Sequence, residues 1–468
     1  MKTLKRFLII TAIFLLFIPV IAQDNSFYET NKATITVKTL SNGIPVIIKK
    51  NPANKVYNLK VVLKGGVAML KPEQAGLEAL TLALMTRGSE KYNYEFLKRT
   101  MYEKSSAISY SAVGYDYSTF DLNTLDKYWK ELFPIFADVF MNPSMLPEMF
   151  KQVQNDLKVA AQKATTDQYE FTVTELHKAM FAGHPYSIEA KGTVQTITAL
   201  TLDDVKKFFD TTFGAERLFI VAVGNFDEAA LIKDLEATFG KIQKKNFTIP
   251  TVPAWTPKAD LLLVPFKTAR GVAHVRGDYP IAPVTDKDFI VQQFANSILN
   301  ELLFSIVRTD NGGCYSVWAN AHSFKNSYGS LVVFKTNKPS SAKLWVDQAI
   351  KVLASGKTLN IKGTNKQEKY APLTETIGAY KAKYINTFFG NQVTNAEQAS
   401  QLAYSFLYFN DAYEYLRIVD KINAITPDDV IRVINKTLVN GTITWIIVSD
   451  QSTLNTVNKD NYSKFTAK

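Results

Sequence analysis

Ile197-Thr198-Ala199-Leu200-Thr201-Leu202-Asp203-Asp204-Val205 recurs as Ile422-Asn423-Ala424-Ile425-Thr426-Pro427-Asp428-Asp429-Val430, with six of nine positions identical at an offset of 225. A repeat of this length and spacing indicates a tandem duplication. In each copy a threonine, Thr201 or Thr426, is placed to cap a helix whose third residue, Asp204 or Asp429, can return the bond. Pro427 suits a first helical turn. Each helix leads into an apolar run, Leu218 to Val223 or Thr444 to Val448, expected to end the sheets of two equivalent halves.

The remaining patterns fit mixed halves. Ile35 to Leu40 and Ile44 to Lys49 flank Ser41-Asn42-Gly43, a hairpin signal because Asn-Gly tolerates positive φ at both turn positions. Phe96 to Lys104, Trp129 to Phe140 and Pro147 to Lys163 read as helices. Pro250, Pro253 and Pro257, following a basic run at Lys241 to Lys245, mark a linker. The expected class is α+β, two homologous α/β-sandwich halves. The expected boundaries are a signal segment 1–22, a first half 23–240, a linker 241–257, a second half 258–455 and a polar tail 456–468.

Lys2, Lys5 and Arg6, followed by the apolar run Phe7 to Ile21 and by Val20-Ile21-Ala22, form an export signal with a small-residue cleavage site. No cysteine stands at that site, which argues against the lipoprotein route. No later segment reads as long and apolar enough to cross a membrane. Removing Lys2, Lys5 and Arg6 with no acid lost lowers the formal charge from +11 to +8. The lysines are scattered and accompany no nucleic-acid motif, so a solvated basic surface is expected and no nucleic-acid partner. Cys314 is the single cysteine, so stability rests on packing. With 468 residues and 46% hydrophobic content, the chain can bury more than one core.

Ala75-Gly76-Leu77-Glu78-Ala79-Leu80-Thr81-Leu82-Ala83-Leu84-Met85-Thr86-Arg87-Gly88-Ser89 follows a strand that ends at Lys64-Gly65-Gly66. This stretch resembles the signature helix of the pitrilysin/insulinase family of zinc peptidases. There an inverted zinc motif, H-x-x-E-H, begins three residues after the glycine matched by Gly76. The five positions are Ala79, Leu80, Thr81, Leu82 and Ala83 here. Two imidazoles at i and i+4 share a helical face and grip one zinc ion while a nearby carboxylate takes a proton from its water. Alanine and leucine do neither. The region matched to the family's third ligand, Gln154 to Gln162, holds no glutamate. The four histidines, His177, His184, His274 and His322, have no i, i+3 or i, i+4 pairing, so no metal site is expected in this chain.

Leu302 to Val317 resembles a second family element, in which a helix-ending arginine is followed seven positions later by a tyrosine opening a strand. Arg308 and Tyr315 have that separation. Asn311-Gly312-Gly313 supplies the helix stop, and alternation from Tyr315 to His322 indicates the strand. The resemblance implies that Arg308 and Tyr315 hold substrate carbonyls. Read from residue chemistry alone, Arg308 is a helix C-terminal charge and Tyr315 packed core. Between Ile298-Leu299-Asn300 and Arg308 the connection is shorter than the family's glycine- and serine-containing one.

The resemblance covers nearly the whole mature chain and implies a clamshell assembly around a peptide-sized chamber. Its leading implication is a non-catalytic, substrate-binding subunit, inactive alone, of a heteromeric zinc peptidase like the mitochondrial-processing-peptidase-like bacterial pairs. The zinc would lie in a homologous partner, the substrate would be an extended peptide, and the setting would be a periplasm or the exterior of a bacterial envelope. The alternative is a peptide-binding or scaffold protein on the same fold with no part in catalysis.

Overall fold

The computed structural model describes residues 24–111, 114–360, 368–463 and 465; the expected signal segment lies outside them. The first sheet contains β1 (Ile35–Thr39), β2 (Pro45–Lys50), β3 (Val56–Lys64), β4 (Ala107–Ser111), β5 (Tyr117–Leu125) and β6 (Leu218–Gly224), in the order β1-β2-β6-β3-β5-β4. The second contains β7 (Asp260–Pro265), β8 (Ala273–Pro280), β9 (Ser316–His322), β10 (Tyr328–Thr336) and β13 (Thr444–Ser449), in the order β7-β13-β8-β10-β9. A separate ribbon joins β11 (Lys357–Leu359) to β12 (Tyr370–Pro372). Without β1, the two orders superimpose strand for strand. In each sheet the pair β2/β6 or β7/β13 is parallel and the others are antiparallel. The duplication read from nine residues is thus a duplication of topology.

The repeated threonines do cap their helices. Thr201 and Thr426 each accept from the backbone of Asp204 and Asp429, whose carboxylates bond back. Two expectations need correction. β6 and β13 come last in their halves along the chain, yet they lie inside their sheets, between a parallel and an antiparallel neighbour. That interior place explains their unbroken apolar sequence, since all of β6 is buried and a strand covered on both faces shows no alternation. In the β1–β2 connection only Gly43 adopts positive φ. The Asn42 side chain donates instead to the carbonyls of Phe239 and Ile242, so the turn is fixed by tertiary contact.

Each sheet is closed by a helix from the other half. Helix Gln168–Met180, from the first repeat, sets Leu176 against Ile446 and Val448 of β13. Its Gln168 amide donates to the carbonyls of Val272 and Val448. Helix Asn395–Phe409, from the second repeat, sets Ala399, Leu402 and Ala403 against Val62, Phe219, Val221 and Val223. The outer faces carry the remaining helices, Leu77–Met85 and Trp129–Met141 over the first sheet, and Lys287–Leu303 and Pro339–Ala354 over the second.

The helical run Lys287–Asp310 is long and apolar enough to cross a membrane by length and composition, contrary to the sequence reading. Phe294, Ile298, Leu299, Leu302 and Leu303 are fully buried in the second core, which is the origin of its apolarity.

One carboxylate pins the exchange. Asp116, between β4 and β5, is 1% exposed. It accepts from the Tyr186 hydroxyl at 2.6 Å, the Tyr408 hydroxyl at 2.8 Å and the Lys325 amide at 2.8 Å. The last two belong to the second half. Burial first, then the Asp116 charge, pushes both phenols far above their ordinary range. Asp116→Ala removes the acceptor of the buried Tyr186 hydroxyl and of the Lys325 N–H, and leaves the Tyr408 hydroxyl only the Ser323 carbonyl at 3.2 Å; an unsatisfied buried donor costs about 1–3 kcal/mol. The expected loss is about 2–3 kcal/mol in chemical denaturation; a loss below about 1 kcal/mol would show that the carboxylate does not hold the halves together.

Candidate functional site

Gly66, at φ +50°, leads toward the signature helix, and a Cβ there would stand 2.3 Å from the Tyr115 carbonyl oxygen. Gly76, at φ +88°, precedes helix Leu77–Met85, with the backbone of Gly192 at 2.8 Å from where its Cβ would be. Both are positions only glycine fills without strain. All nine helix residues are buried. Ala79, Leu82 and Ala83 are 4%, 0% and 5% exposed and present only hydrocarbon. The helix's one acid, Glu78, lies 2.7 Å from the fully buried Arg217, which also donates to the Lys64 carbonyl. That carboxylate is committed to a structural pair.

The region matched to the third ligand supplies no replacement. On helix Pro147–Thr166, Asp156 pairs with Arg87 at 3.1 Å and Gln154 donates to the carbonyls of Ile197 and Leu200. Three of the histidines have hydrogen-bond or ion-pair partners of their own. His177 meets the Tyr115 hydroxyl at 2.7 Å and Asp278 at 3.4 Å. His184 meets the Pro253 carbonyl at 3.0 Å, and His322 the Ser330 hydroxyl at 3.0 Å. Among the described residues no group of three or more His, Cys, Asp or Glu is placed to hold a metal ion. The residues at the family's zinc positions do not fit one.

A cleft of about 1170 Å³ opens over this helix. Ala79, Leu157, Ala160 and Ala161 line it, with Tyr115 and His177, and Tyr110 and Ser111 of β4. β4 is an edge strand of the first sheet. Its counterpart β9 is closed: helix Lys287–Leu303 runs beside it, and the Asn300 amide bonds both the carbonyl and the N–H of Ala319. The two equivalent edges are therefore unlike, one facing a cleft and the other taken by a side-chain amide.

Arg308 and Tyr315 come together as the sequence spacing anticipates. The helix ends in a wider π turn, Phe304–Asp310, and Gly312 takes the left-handed conformation at φ +53°. Gly313 passes where a Cβ would stand 2.5 Å from the Trp345 ring. This tight return sets the Arg308 guanidinium 5.8 Å from the centre of the Tyr315 ring and 4.9 Å from that of Phe304. Tyr315 is 68% exposed and lies just before β9, its N–H reaching the carbonyls of Phe334 and Lys335. The packed-core reading of Tyr315 is overturned. The shortened connection is a continuous helix. Sequence reasoning missed Phe304, although its i, i+4 spacing to Arg308 placed it on the same helical face. It also missed Asn300 and Asp116, for which only the fold supplies partners.

With this geometry in hand, comparison with known proteins identifies the class. Residues 45–194 match the domain described as Insulinase (Peptidase family M16), and residues 199–356 that described as Peptidase M16 inactive domain. The chain belongs to the M16 peptidase family. A non-peptidase homolog, YmxG, of Helicobacter pylori is 20% identical over 348 residues, covering 73% of this chain and 77% of the relative. A probable mitochondrial-processing peptidase subunit beta of Arabidopsis thaliana is 18% identical over 239 residues, covering 51% of this chain but only 44% of the relative. A peptidase M16 inactive domain from Pseudomonas fluorescens superimposes with a TM-score of 0.77 at 16% identity, over 89% of this chain and 98% of that one. The fold is that of M16 proteins, and the helix matched to the family's zinc motif carries Ala79, Leu82 and Ala83 at the ligand and base positions.

The buried histidines make stability pH-dependent. Burial pushes His274 and His322 down to about 4, against an ordinary value of about 6.5. Unfolding therefore takes up protons in this window, so the stability due to neutral histidine is complete above pH about 6.5 and declines toward pH 4. The denaturation midpoint should fall over this range more steeply in the native chain than in His274→Gln/His322→Gln. Parallel profiles would contradict the assignment.

Proposed function

We propose that this chain is the substrate-binding, non-catalytic subunit of a heteromeric zinc metallopeptidase, in which Arg308 and Tyr315 complete the active site of a zinc-bearing homologous partner. One contrast carries the reading: the metal positions Ala79, Leu82 and Ala83 are buried hydrocarbon, whereas Arg308 and Tyr315 are adjacent and exposed. A guanidinium and phenol serving only the core would be covered. The partner's zinc would supply an activated water. Arg308 would hold a substrate carbonyl through its planar donors, and the Tyr315 hydroxyl would donate to the oxygen that becomes negative in the tetrahedral intermediate. Such a donor is worth a factor of about 100 to 1,000 in rate. The peptide would lie extended, and the open edge of β4 offers it a place by strand addition. The basic and apolar start of the sequence favours export to a periplasm or the exterior.

A second reading rests on the cleft. Its size and its edge strand suit a peptide that is held without being cut, as expected of a peptide-binding or scaffold protein. The M16 relative described as a non-peptidase homolog fits either reading.

The test is cleavage of quenched fluorescent peptides by this chain, by an exported homologue with an intact H-x-x-E-H helix, and by the two mixed, with and without a chelator. Activity is expected only in the mixture and lost on chelation. Arg308→Ala/Tyr315→Phe should lower turnover of the pair about 100-fold while leaving it associated. Unchanged turnover would sink the divided-site reading, and no gain on mixing would favour the second.

A further inference from the structure

The surroundings of Arg308 and Tyr315 are lopsided in charge. Lys335 lies directly beside Tyr315, whose N–H reaches the Lys335 carbonyl at 3.1 Å. The backbone of Lys335 is in the left-handed region, at φ +55°, and its ammonium stands 5.2 Å from the Phe334 ring centre. The Lys338 ammonium lies 3.3 Å from the Asn311 carbonyl, in the turn that follows Arg308. All three cations are exposed. None has a carboxylate partner among the described residues, whereas Asp310, the acid of the same turn, is already engaged by Lys369. Phe304 and Tyr315 flank Arg308, Phe334 flanks Lys335 and Trp345 flanks Lys338.

Exposed cations without a carboxylate partner leave local positive charge that an incoming anion neutralises. Arg308 adds a flat fork that matches a carboxylate in two bonds. We infer that the segment of extended peptide reaching Arg308 and Tyr315 carries acidic side chains, and that Arg308, Lys335 and Lys338 select it. This rests on the proposed peptide-binding role of that site and adds the substrate class. The occupant is a peptide because the patch is continuous with the pair assigned to its carbonyls.

The experiment is fluorescence anisotropy on the full mature chain with three unstructured peptides that differ only in carrying Asp/Glu, Asn/Gln or Lys/Arg at alternate positions. The acidic peptide should bind about tenfold more tightly than the neutral one at low salt, with the gap closing at about 0.5 M salt. Lys335→Glu/Lys338→Glu should reverse the order, so that the basic peptide binds better than the acidic; a merely structural role would weaken all three alike. Binding indifferent to charge, or a preference unmoved by the reversal, overturns the inference but leaves the peptide-binding role standing. Absence of binding by all three peptides removes both. If the reversal separates the chain from its zinc-bearing partner while the peptide preference persists, the patch belongs to the subunit interface and the inference fails.

Discussion

The structure depends on a reciprocal exchange of helices. Each sheet buries one face under helices of its own half and needs the other half to cover the second face. Helix Gln168–Met180 covers β13, and helix Asn395–Phe409 covers β3 and β6. An apolar sheet face left in water costs about 25 cal/mol per Å², a cost each half avoids through the helix of the other. Asp116 fixes the register of the exchange by drawing hydroxyls from Tyr186 and Tyr408 to one buried carboxylate.

That constraint explains how the family's chemistry could be lost without loss of the fold. All nine residues of helix Leu77–Met85 are buried. At Ala79, Leu82 and Ala83 hydrocarbon packs where polar ligands would need a metal to offset their burial. The structural acid, Glu78, keeps its pair with Arg217. What remains beside the helix is a cleft bounded by the edge strand β4. On the opposite half the glycine turn and Trp345 force Arg308 and Tyr315 together at the surface. Hydrocarbon fills the metal positions of the first half, while a guanidinium and a phenol stand exposed on the second.

Much of this was legible in the sequence, for identifiable reasons. The duplicated cap boxes are local interactions, so nine residues sufficed to find the repeat and the helix starts. The vacated motif and the Arg308–Tyr315 spacing were legible because both are fixed by a single helix or turn. Features set by distant contact were not. The central place of β6 and β13, the Asn42 bonds to Phe239 and Ile242, the Asn300 cover on β9 and the Asp116 hub join residues separated by tens to hundreds of positions. Tyr315 was ambiguous for a related reason: alternation assigned it to a face, whereas the exposed position follows from its place one residue before the strand.

The account's central claim is that one active site is shared between two chains, with Tyr315 at the substrate. It is tested most directly by replacing Tyr315 with a photoreactive phenylalanine analogue. The chain would be assembled with its zinc-bearing homologue, the metal removed to prevent turnover, and irradiated with a labelled peptide. The account predicts a covalent adduct between position 315 and the peptide, formed only in the assembled pair and suppressed by unlabelled substrate. Adducts with the partner chain alone, or none with peptide, would contradict it.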